Sequence, residues 1–117
     1  MTKTNNPELP KKVKVAAFDI KVRTWGHREA DALERFGQFS AVEGAIRING
    51  ELSPIKLIDT LLHEIGHAIY WAYGIEDEDK EERVVGTFAT AWTQVYRDNP
   101  ELLEFIKFKL GEKSEDT

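Results

Sequence analysis

Residues 53–74, SPIKLIDTLLHEIGHAIYWAYG, constrain this chain more than any other stretch. Ser53 offers a side-chain oxygen to cap a helix, and Pro54 suits a first helical position because its missing N–H is not needed there. Gly74 stands where a helix of this phase would end, and glycine accepts the left-handed backbone that closes many helices. Between these signals Ile55, Ile58, Leu62, Ile65, Ile69 and Ala72 recur at three- and four-residue spacing. The pattern predicts one helix over 54–73, about 30 Å long at 1.5 Å per residue. Its apolar stripe must be covered by another layer of the same domain.

That layer is sought upstream. In KVKVAAFDIKV, Val13 and Val15 alternate with lysines, and Phe18, Ile20 and Val22 alternate with Asp19 and Lys21. The phase slips at Ala16–Ala17, so the stretch is either one long strand with a bulge or two short strands. GQFSAVEGAIRING reads as a hairpin: Phe39 on one arm, Ile46 and Ile48 on the other, Glu43-Gly44 near the turn, and Asn49-Gly50 at the end. TWGHREADALERFG is ambiguous; Ala30, Leu33 and Glu34 suit a short helical turn between glycines. Downstream, a helix from about Asp79 to Arg97 carries Val85, Phe88, Trp92 and Val95 on its apolar face. Asn99-Pro100 opens a third helix with Leu102, Phe105, Ile106 and Leu110. The expected fold is α+β: an N-terminal antiparallel or mixed sheet followed by three helices. The expected organisation is a loose arm over 1–11, one domain over 12–110 and a polar tail over 111–117.

The first helix also carries chemistry. His63 and His67 are four residues apart, so they share a helix face one turn apart and can grip one ion. Glu64 is rotated by about 100° from His63. It stands beside such an ion rather than in its coordination set, placed to take a proton from metal-bound water. A lone histidine on an apolar helix is usually a hydrogen-bonded core residue. Here two of the chain's three histidines fall at ligand spacing, among Leu61, Leu62, Ile65, Ala68 and Ile69. Burying three ionisable groups there without a partner would cost several kcal/mol, which a bound zinc offsets.

A catalytic zinc takes three protein ligands and leaves one position open. His27 lies far upstream, so the third ligand is sought among carboxylates of the second helix. Glu81 lies near the centre of that helix's apolar face. Glu82 shares a stripe with Gly86, Ala89 and Thr93, whose small side chains would let two helices approach closely; this favours Glu82. Either acid would also suit an exposed first turn, where the helix dipole welcomes negative charge. Asp59, one turn before His63, is a candidate to orient an imidazole, or equally a helix-dipole acid. For Trp71 and Trp92, packing in the core is expected ahead of a role as a substrate platform.

LLHEIGHAIYWAYG followed by EERVVGTFATAW resembles the zincin metallopeptidases of the gluzincin type, and especially the very small metallopeptidases common in bacteriophage and prophage genomes. The resemblance covers roughly residues 36–103 through Gly37-Gln38, Ile46 to Ile48, Thr60 to His67, Glu82 to Val85 and Asp98 to Pro100. It implies a zincin-like fold, one zinc ion held by His63, His67 and Glu82, and Glu64 as general base. It also implies a peptide or protein substrate lying extended along an edge strand supplied by residues 36–41 or 45–49. Tyr70 and Tyr73 are possible stabilisers of the oxyanion, though no residue here matches the family's own.

Composition narrows the alternatives. A net charge of −5 gives no general attraction to nucleic acid or anionic lipid. No cysteine is present, which rules out disulfides, thiolate zinc sites and a cysteine nucleophile. With no secretory signal or membrane-spanning run, the chain reads as cytoplasmic. The rival to a peptidase is a non-catalytic, zinc-stabilised binding or regulatory module of phage origin, since a small domain without disulfides gains much from a metal. Glu64 argues for the enzyme, because a structural site needs no base.

Overall fold

The computed structural model describes residues 6–25 and 36–112. Four strands, β1 (Lys12–Val15), β2 (Phe18–Trp25), β3 (Gly37–Ser40) and β4 (Ala45–Asn49), precede three helices. These are α1 (Pro54–Ala72), α2 (Glu81–Asp98) and α3 (Pro100–Leu110). The strands form one mixed sheet in the order β1-β2-β4-β3. β2 and β4 are parallel, and the outer pairs are antiparallel. The α+β class and the sheet-then-helices order therefore hold. His27 and the suggested helical turn at Ala30–Glu34 lie outside the described residues.

Of the two readings of KVKVAAFDIKV, two short strands is the one found. Ala16 and Ala17 are the turn, with Val15 paired to Phe18. Ala16 takes φ +55°, the left-handed region that costs a non-glycine residue about 1 kcal/mol. A long-range contact offsets that strain: the Ala16 N–H donates to Oε1 of Gln94 on α2 at 2.7 Å. Leu9 packs on the core and Pro10 is buried, so the chain is already anchored before β1 begins.

Val13, Val15, Ile20, Val22, Ile46 and Ile48 line the covered face of the sheet. Lys12, Lys14, Asp19, Lys21 and Arg23 take the alternate, exposed positions. α1 lies over β4, β3 and β1 and also meets α3; α2 rests on β1 and α3. α1 starts at Ser53–Pro54, but the Ser53 hydroxyl makes no capping hydrogen bond; the Ser53 carbonyl accepts from Leu57 N–H at 2.8 Å. Its end is a Schellman closure. Gly74 at φ +64° lets its own N–H reach the Trp71 carbonyl (3.2 Å) while Ile75 N–H reaches Tyr70 (3.0 Å), and Ile75 is buried.

The apolar stripe of α1 is wider than its isoleucine spacing suggests. Leu57, Ile58, Leu61, Ile65, Ala68 and Ile69 are buried, because the helix is covered by the sheet on one side and by α3 on another. Ile55 in the first turn projects past this cover and is 62% exposed. α2 is seated only by its carboxyl half. Ala91 and Val95 are buried and Phe88 and Trp92 half-buried, whereas Val85 is 61% exposed. In α3, Leu102 and Phe105 are buried and Leu110 is exposed.

A candidate metal centre beside strand β3

The α1 sequence divides its chemistry by angle. Glu64 faces the sheet and is only 7% exposed, while His63 and His67 emerge on the flank of the helix into solvent. The two imidazoles converge, with Nε2 to Nε2 at 3.2 Å and ring centroids 4.8 Å apart. Two nitrogens this far apart, each about 2.0–2.1 Å from a shared ion, subtend an angle of about 100–106°. That is close to tetrahedral, so the separation of the two nitrogens matches two corners of a zinc site.

The expected third corner is not brought to them. Among the described residues, no group of three or more His, Cys, Asp or Glu side chains forms a metal-holding set. Glu82 and Glu81 both sit exposed in the first turn of α2. The close helix approach expected from Gly86, Ala89 and Thr93 is corrected by the structure: all three are exposed, and a Cβ built on Gly86 meets nothing within 4 Å. The cause lies at the other end of α2. Gln94 and Asn99 hydrogen-bond the backbone of β1, at Lys14 and Ala16, and hold the carboxyl half of the helix there.

Two cavities flank Glu64. One, of about 690 Å³, is bordered by Gly37, Gln38 and Phe39 of β3, by Glu64, His67, Tyr70 and Trp71 of α1, and by Gly74–Glu76. The other, of about 290 Å³, is bordered by Phe36, Gly37, Lys56, Asp59, Thr60, His63 and Glu64. Gly37 and Glu64 border both, so the two cavities lie on either side of this contact and together line the groove between α1 and β3. β3 is the terminal strand of the sheet among the described residues, and β4 is interior. Of the two stretches expected to supply an edge, residues 36–41 therefore supply it.

The ends of the groove differ. Trp71, expected in the core, is instead 42% exposed and forms an aromatic wall with Phe18 and Phe39, at 4.7 and 5.9 Å between centroids. Its place past the buried arc of α1 explains this: the sheet ends beneath it at the Ala16–Ala17 turn. Trp92 does pack on the core, beside Tyr96. Tyr73 packs there too. Tyr70 borders the groove, and its hydroxyl donates to Asp77 at 3.4 Å. Desolvation, followed by the Asp77 charge, raises its pKa, so Tyr70 stays a protonated donor across the neutral range. At the other end Lys56 lies over the Phe36 ring, 4.7 Å from its centroid. Asp59 borders the same cavity as His63, and no hydrogen bond joins the two among the described residues.

Sequence reasoning missed Gly37 as a contact for Glu64, and for Trp71 it ranked the core above the substrate-facing place that the groove gives it. Nothing local marks Gly37, because its role depends on Thr60 and Glu64, which follow it by more than 20 residues. No described helix is long and apolar enough to cross a membrane. Comparison with family models, with curated proteins and with solved structures returned no match to this chain.

Proposed function

We propose that this chain is a zinc-dependent metallopeptidase of zincin-like type. The observation that carries the reading is the converging His63–His67 pair, at 3.2 Å, beside a carboxylate that borders a groove along β3, the terminal strand of the sheet among the described residues. When bound, the ion supplies an acidified water and an electrophile for the scissile carbonyl. His63 and His67 would hold it, and Glu82, exposed in the first turn of α2, remains the proposed third ligand. Glu64 accepts a proton at its carboxylate and returns it to the leaving amine. The outer edge of β3 binds an extended peptide by main-chain hydrogen bonds. Phe39 and Trp71 offer an apolar wall to one of its side chains.

The decisive experiment compares zinc content and cleavage of a peptide library by the wild type and Glu64→Gln. The variant is expected to keep its zinc and lose cleavage by about 10²–10⁴-fold, the usual worth of a general base. Equal cleavage by both proteins removes Glu64 from the mechanism. Zinc retained with no cleavage by either supports the rival reading, a zinc-stabilised binding or regulatory module of the phage type.

A further inference from the structure

Glu64 is the one carboxylate of the groove that is buried, and its side chain must be held from outside α1. The neighbour that faces it is Gly37. A Cβ built on Gly37 would lie 2.8 Å from Thr60 Cγ2, 3.2 Å from the Arg47 carbonyl oxygen and 3.2 Å from Glu64 Cγ. Any side chain at position 37 therefore strikes Glu64 and the residue one helical turn before it. Thr60 and the Arg47 carbonyl cannot yield easily, which leaves Glu64 to move. Thr60 is 7% exposed and β-branched, with few rotamers open to it on a helix. The Arg47 carbonyl belongs to β4, which is fixed between β2 and β3. The bare backbone at 37 also forms the saddle between the two cavities, bordering both.

We infer that Gly37 is a positioning residue: the missing side chain lets β3 close against α1 so that its backbone fixes the Glu64 side chain at the saddle of the groove. The inference rests on the peptidase reading for its effect on turnover, but its physical content is the placement of Glu64. A methyl group at 37 displaces Glu64 by a few tenths of an ångström. Since a misplacement of about 1 Å can cost about a hundredfold, about a tenfold loss in kcat is expected.

The test separates this role from simple packing. Gly37→Ala alone must also move the Thr60 methyl, and it will lose stability. Combining it with Thr60→Ser removes the 2.8 Å clash and leaves the 3.2 Å contact with Glu64. The comparison is therefore Gly37→Ala/Thr60→Ser against Thr60→Ser, both loaded with zinc. Expected results are equal zinc content, a KM for peptide within about twofold and kcat lower by about tenfold. A second readout needs no turnover: the NMR resonances of the Glu64 γ-methylene, assigned with and without zinc, should shift on adding Gly37→Ala. Unshifted resonances overturn the inference whatever the kinetics show, as does an unchanged kcat in an active enzyme. Shifted resonances in a protein that cleaves nothing uphold the placement of Glu64 by Gly37 and refute the peptidase reading instead.

Discussion

Zinc should stabilise this fold, and His67→Ala should abolish most of the effect. The two imidazoles stand exposed and 3.2 Å apart, so binding needs little rearrangement of the pair. At a free zinc concentration 100 times Kd, linkage gives about 2.7 kcal/mol of added stability. For a domain of this size each kcal/mol moves Tm by about 4–8 °C, so the expected rise is about 10–20 °C. Removing one ligand, taken as a weakening of about a hundredfold, leaves about 0.4 kcal/mol at the same zinc concentration, a rise of about 2–3 °C. The assay is calorimetry of metal-stripped wild type and His67→Ala, each with and without zinc, with reversal by a chelator as the control. X-ray absorption of the loaded wild type should show imidazole nitrogens at about 2.0–2.1 Å. Equal Tm shifts in the two proteins would refute the argument, because the ion would then be binding somewhere other than this pair.

Other consequences can be measured separately. Asn99→Ala removes a buried side chain that accepts from Lys14 N–H (2.8 Å) and donates to the carbonyls of Lys14 (2.9 Å) and Val95 (2.7 Å). Urea unfolding should show a loss of about 2–4 kcal/mol, since groups of the β1 edge and α2 lose their partners; a loss under about 1 kcal/mol would contradict this. Trp71→Ala should lower kcat/KM about tenfold for peptides with a bulky apolar residue beside the scissile bond and leave other peptides little changed, as expected for loss of one aromatic contact; a uniform loss would make Trp71 purely structural. Asp98 is held at a pKa of about 2, chiefly by hydrogen bonding from Arg97 and then from Gln94. Its folded pKa is depressed from 3.8, so its contribution is full above that value and is lost as pH falls through about 2. An NMR titration of the Asp98 carboxyl should show this midpoint, and Arg97→Ala should move it upward.

The parts of the fold that were legible in the sequence are those with local causes. Proline at 54, glycine at 74 and the periodic run between them set α1 to within a residue at its end. The β3–β4 hairpin followed from alternation around Glu43-Gly44, with Arg47 reaching back to Glu43 across it. What could not be read depends on distant partners. Ala16 occupies a left-handed turn position without being glycine or asparagine, and only the contact with Gln94 makes that tolerable. The burial of α2 reverses along its length because its anchors, Gln94 and Asn99, sit near its end, so a uniform apolar stripe from Val85 to Val95 was the wrong picture. In the site, helical spacing sufficed to bring His63 and His67 together on one flank of α1. The position of Glu82 could not be settled by spacing, since it depends on how two helices cross.

Gln94 and Asn99 have one more effect. By occupying the N–H and C=O of Lys14, and the N–H of Ala16, they cover the carboxyl half of the outer rim of β1, much as an added strand would. Among the described residues, a molecule approaching the β1 rim therefore finds the main-chain groups of Lys14 already engaged, which discourages pairing of another strand along that side.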